Sequence, residues 1–265
     1  HADLGVSLPA ELPSADDGVS IRQMDWDADR DAVAGVHEEH NRACSGVIRR
    51  PAELWEATPR WRSVDASRQY VAEVDGRIVA YCLNGGSSEG SVEEIGHADG
   101  HEAAARALLT RFFAACRARG AETPRIDNTT FLPWLKDIGA NVQVGHYGSW
   151  MHRINDLGRL LGLLAPTMSS RLAESEANGW TGVVALDTEI GSFALVVEKS
   201  HVTVAEASDA VDVRLTFDHR QAVSLIMGQA RAKTFAEGSV DALAAAALDS
   251  LFPATEYRWH GWGGV

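Results

Sequence analysis

Side chains able to do chemistry cluster in three places along this chain, and their spacing decides what each cluster can do. His37-Glu38-Glu39-His40 looks like a zinc-protease signature. That chemistry needs two histidines four apart on one helical face, and these are three apart, so two surface histidines on an acidic helix are expected. His97 and His101 are four apart with Asp99 between them. One falls at a strand end and the other at a helix start, so helical spacing does not apply and no metal site is expected. Ser45, Ser87 and Ser88 lack the strand-turn-helix elbow that exposes a serine nucleophile. The third cluster, Trp259-His260-Gly261-Trp262, has ligand chemistry. Aromatic faces attract cations once water is excluded, and an imidazole with a reference pKa of about 6.5 exchanges a proton near neutrality. Trp259, His260 and Trp262 are therefore the candidate substrate-binding residues. The plainer alternative is that two tryptophans anchor a tail onto its own domain.

The charge balance narrows the partners. The chain carries 24 Lys and Arg against 37 Asp and Glu, a net charge of −13. No basic stripe exists to neutralise phosphates, which excludes nucleic acid and polybasic membrane attachment alike. An acidic surface suits small cationic molecules such as polyamines or aminoglycosides, although ordinary solubility accounts for the same balance. No stretch approaches a membrane span, and the first residues lack the basic-then-apolar order of a signal peptide. Cys44, Cys82 and Cys116 are odd in number and widely spaced, so neither a disulfide framework nor a thiolate zinc site is expected. A cytoplasmic location follows as the expectation. The chain opens on His1 rather than Met, as a processed product or a fragment would.

The elements that must position these residues are clearest between Gln69 and Gly120. Two β-branched, alternating segments, 69–74 and 77–83, flank Asp75-Gly76, the strongest short-range hairpin signal because glycine accepts positive φ. Residues 91–96 make a third strand. A helix follows over 102–119, with Ala104, Ala107, Leu108, Phe112, Ala115 and Cys116 on one face and Gly120 at its end. Before this block, residues 1–18 read as a linker or extended arm, 19–24 as a strand, and 25–44 as a helix. After it come a short strand at 124–127, a helix at 132–138 and strands to residue 154. A second unit spans 155–265. It has helices at 157–164 and 168–175, an antiparallel meander at 180–186, 191–198, 201–205 and 211–218, and helices at 219–228 and 240–251.

The order strand, tight turn, strand, strand, long helix is similar to the centre of GNAT N-acetyltransferases, which use acetyl-CoA. Such enzymes cradle the CoA pyrophosphate with a Gln/Arg-x-x-Gly-x-Gly/Ala loop ahead of the helix. Here the loop is His97-Ala98-Asp99-Gly100-His101-Glu102-Ala103, with one glycine, no basic residue and two acids. It is read as helix capping rather than cofactor binding. Together with Ser149–Asp156 and the stretch Asp212–Asp218, the whole chain resembles the Eis family of acetyltransferases. Those carry two tandem GNAT domains and a sterol-carrier-protein-like domain. The resemblance implies an α+β chain, a degenerate second GNAT domain with a mixed sheet over 19–154, and a sterol-carrier-like α+β domain over 155–265. It implies that a first, CoA-binding domain of about 130–150 residues lies outside this chain. It further implies acetyl-CoA as co-substrate without a metal, a small-molecule amine as acceptor, and a homo-oligomer. The carboxylate of Val265 would serve as catalytic base beside Trp259, His260 and Trp262. A different class of function, a non-catalytic module holding an apolar ligand between the sheet and helices of 151–265, is the alternative.

Overall fold

The computed structural model describes residues 2–13, 18–47, 49–62, 68–84, 90–121, 123–126, 129–146, 153–207 and 210–257. They group into two compact units, one of residues 1–43 and 47–150, the other of residues 44–46 and 151–257. In chain order the first unit holds β1 (Ala2–Ser7), β2 (Ser20–Gln23) and α1 (Trp26–Asn41). After β3 (Cys44–Ser45), a two-residue strand of the second unit, it continues with α2 (Ala52–Arg62), β4 (Tyr70–Val74), β5 (Arg77–Asn84), β6 (Ser91–His97) and α3 (Glu102–Ala118). It closes with β7 (Arg125–Ile126), α4 (Leu132–Asp137) and β8 (Asn141–His146).

These strands form one mixed sheet in the order β2-β4-β5-β6-β7-β1-β8. Only β6 and β7 run parallel, paired at Ser91↔Arg125 and Val92↔Ile126. The β4–β5 hairpin turns on Asp75 and Gly76, with φ of 52° and 74°, the two left-handed residues a tight primed turn requires. α3 buries Leu108, Leu109, Phe112 and Phe113 in a core with Val79, Cys82, Val92 and Ile95. Met24, Val33, Val36 and Trp55 form a separate core with Val71, Tyr81 and Leu83. Alternate strand residues thus feed two apolar layers, as the pleat demands.

The first residues are not an arm. Ala2–Ser7 form a strand inside the sheet, paired with β8 from Ala2↔His146 to Ser7↔Asn141 and with β7 at Leu4↔Ile126. Leu4 and Val6 are fully buried. Their period-two alternation is short, and the Pro, Ser and Asp residues that follow make the whole stretch look like linker by composition.

Besides β3, the second unit holds α5 (Leu157–Ala173), capped by Asp156, followed by β9 (Gly182–Thr188), β10 (Gly191–Glu198), β11 (His201–Glu206) and β12 (Val213–Phe217). It ends with α6 (His219–Ile226), α7 (Ala242–Leu251) and β13 (Glu256–Tyr257), the last pairing with β3. Two expectations change here. The sequence predicts two helices over 157–175, but α5 runs unbroken through Pro166. Its apolar face, Leu157, Leu161, Ala165, Met168 and Leu172, continues in register across the proline, and that burial outweighs the lost backbone bond. The sheet order is β11-β10-β9-β12, and β12 lies parallel to β9, so the predicted four-strand antiparallel meander holds for only three strands. Among the described residues no helix is long and apolar enough to cross a membrane.

Candidate functional site

The loop joining β6 to α3 is where an acyl-CoA enzyme of this topology would present backbone donors to an anion. Here three of the loop's donors are occupied within the chain. Ala98 N–H donates to the Val79 carbonyl at 2.8 Å, and His101 N–H to the Ala98 carbonyl at 3.0 Å. Asp99 N–H donates to a carboxylate of the chain itself, Glu39 Oε1, at 2.9 Å. Beside it Arg42 Nη2 meets Asp99 Oδ2 at 3.3 Å, and the His40 and His97 rings pack edge to face at 4.5 Å. The last turn of α1 therefore lies against the loop through three side chains.

This arrangement corrects the capping reading in part. His101 is the N-cap and forms no side-chain cap bond, and the Asp99 carboxylate pairs with Arg42 instead. Glu102 does stand in the first turn of α3, where a negative charge complements the helix dipole. Glu39, Asp99 and Glu102 thus gather three carboxylates around the start of α3, with Arg42 paired to one of them.

A second constellation sits on the same strand and was not legible in the sequence. Glu94 on β6 is 1% exposed. Arg50 grips it at both ends, Nη1 to Oε1 at 3.1 Å and Nη2 to Oε2 at 2.5 Å, and Tyr81 donates its hydroxyl to Oε1 at 2.6 Å. His37 Nε2 lies 3.7 Å from the same oxygen. Trp55 stacks under the Arg50 guanidinium at 4.9 Å and meets the His37 ring edge to face at 5.5 Å. Burial alone pulls the Arg50 pKa down, but the Glu94 charge and hydrogen bonds, with Tyr81, outweigh it and the net shift is upward. Gly96 seats the phenol, because a Cβ there would stand 2.6 Å from Tyr81 Cε1.

The bulge explains why Glu94 points inward. Leu83 pairs with Glu94 but Asn84 pairs with Val92, leaving Glu93 as the extra residue. Plain alternation would put Val92 and Glu94 on one face; with Glu93 as the extra residue, Val92 and Ile95 both join the α3 core and Glu94 falls on the opposite face, beside Tyr81. Enclosed in this way, the carboxylate acts as a counter-ion within the fold, closed off from solvent. His37, read from the sequence as a surface residue, is instead buried at 2%. Among the described residues no group of three His, Cys, Asp or Glu could hold a metal.

The sequence-predicted site residues Trp259, His260, Trp262 and Val265 lie outside the described residues. In the second unit, the layer between sheet and helices is filled by Leu161, Met168, Leu172, Leu195, Leu215 and Leu248, each at most 1% exposed. The apolar-ligand alternative would have to displace that packing.

No protein-family model and no curated protein matches this chain. Solved structures do. A conserved protein of unknown function from Enterococcus faecalis V583, described as a probable N-acyltransferase, superposes with a TM-score of 0.65 at 14% identity, over 98% of this chain and 66% of its own. A GCN5-related N-acetyltransferase from Kribbella flavida gives 0.60 at 19% identity, over 97% and 64%. Eis1 from Mycobacterium abscessus gives 0.51 at 15% identity, over 98% and 67%. The chain spans just under two thirds of the Enterococcus and Kribbella proteins. It has the mixed α/β fold of GCN5-related N-acetyltransferases.

Proposed function

We propose that this chain forms part of an Eis-type acetyltransferase that moves an acetyl group from acetyl-CoA to a primary amine. In this reading its GNAT-like unit shapes the acceptor side and does not bind CoA, and its second unit is the sterol-carrier-like domain. The observation that carries the division of labour is the Glu39 carboxylate on the Asp99 N–H, with Arg42 spent on Asp99. The loop's acids and its bound side chain oppose a pyrophosphate at the α3 start. The likeness in fold to GCN5-related N-acetyltransferases over nearly the whole chain supports acetyl transfer as the reaction class. CoA would then be held by residues of the polypeptide beyond this chain.

Within the reaction, an ammonium must lose a proton before its nitrogen attacks the thioester carbonyl. Trp259, His260 and Trp262 are the groups of this chain assigned to hold the cationic acceptor and steer that proton. An acetylation assay of the complete polypeptide tests the assignment. Replacing Trp259 and Trp262 together with alanine should raise the KM for the amine at least tenfold, with an unchanged KM for acetyl-CoA and an unchanged Tm. An unaltered amine KM, or an equal rise in both constants, would contradict it.

A further inference from the structure

The second unit carries a cleft of about 700 Å³. This is within the roughly 300–1,000 Å³ typical of small-molecule sites. Three segments form it: the turn holding Trp180 and Thr181, the chain entering β12 at Asp212, and the start of α7 with Val240, Asp241 and Leu243. Among the described residues no Lys, Arg or His lines it.

Both carboxylates are fixed by a backbone donor through one oxygen. Asp212 Oδ2 accepts the Val183 N–H at 2.8 Å, and Asp241 Oδ1 accepts the Ala244 N–H at 2.8 Å as the cap of α7. Among the described residues no side chain bonds the other oxygen of either. Gly182 brings aromatic and acid together, since a Cβ there would stand 2.6 Å from Trp180 Cζ2 and 3.1 Å from Asp212 Oδ2. Trp180 is 9% exposed and forms a fixed apolar wall, whereas Leu243 is 51% exposed, a large apolar side chain facing water. Two aspartates fall short of a metal-binding set, and the apolar surface beside them favours a cation that carries its own hydrocarbon.

We infer that this cleft binds an aliphatic polyamine, with ammonium groups on Asp212 and Asp241 and the methylene chain along Trp180, Val240 and Leu243. The inference stands apart from the acetyl-transfer reading, and either can fail alone.

Titration of the full chain with spermidine at about 50 mM salt tests it, with the Trp180 indole N–H resonance as the local readout. Saturable, sub-millimolar binding that shifts this resonance is expected. Asp212→Asn with Asp241→Asn keeps an oxygen for each backbone donor, Asn being as good a cap as Asp, and should weaken binding at least tenfold. Asp31→Asn with Glu56→Gln removes the same charge from exposed positions of the first unit and should change affinity less than twofold. Should the aspartate variant fold poorly, Leu243→Ser leaves both charges and should still weaken spermidine several-fold. Absence of saturation, an unmoved Trp180 signal, or equal losses in both double variants would overturn the inference. So would magnesium ion shifting the Trp180 signal at the same concentration as spermidine.

Discussion

Glu39 Oε1 accepts the backbone N–H of Asp99 at 2.9 Å, joining the end of α1 to the loop before α3. The two lie 60 positions apart in sequence, so the contact belongs to the tertiary fold. It occupies a loop donor just ahead of the α3 start with a carboxylate of the chain itself.

Removing that carboxylate should loosen the loop without unfolding the unit. The bond is exposed and is worth about 1 kcal/mol. Glu39→Ala should therefore speed hydrogen exchange at the Asp99 amide about fivefold, with a Tm shift of only a few degrees. Unchanged exchange would mean that water or another group holds this donor equally well.

The Arg50–Glu94 pair should behave as a buried ion pair. Arg50→Met leaves the Glu94 carboxylate uncompensated in the core and should cost roughly 3–5 kcal/mol in denaturant unfolding of the first unit. Arg50→Met with Glu94→Gln removes both charges and should recover at least half of the loss. Equal losses in single and double variants would show that the charges do not interact.

Acid should weaken a third contact in a definite direction. Hydrogen bonds from Arg22, at 2.6 and 2.8 Å, hold the Asp29 carboxyl below its ordinary range against the opposing effect of burial. A carboxyl whose folded pKa is depressed contributes stability above its unfolded value of about 3.9, and that contribution fades as pH falls through the folded value. Arg22→Gln should thus destabilise the protein at pH 7, and its deficit against the wild type should shrink on acidification below pH 4. A deficit independent of pH would assign the effect of Arg22 to packing.

Local signals made part of this fold legible and long-range ones hid the rest. Asp75-Gly76 fixed a hairpin because backbone sterics alone demand it, and α3 showed itself by a helical apolar face ending at Gly120. β1 was missed because Leu4 and Val6 offer two buried positions and then a Pro-rich stretch, while its partners lie over a hundred residues away. Pro166 misled for the opposite reason: a local helix breaker was overruled by a continuous buried face. At the candidate site, the missing second glycine and the acids at Asp99 and Glu102 were plain in the sequence, but Glu39 and Arg42 were not, since only the docking of α1 brings them there. Glu94 was hidden by the bulge at Glu93 and by a partner, Arg50, 44 residues distant.

We propose that the loop before α3 does not hold CoA, and calorimetric titration of this chain with acetyl-CoA tests this most directly. No saturable heat below about millimolar ligand is predicted. Saturable binding at micromolar concentration, about −8 kcal/mol, would contradict it.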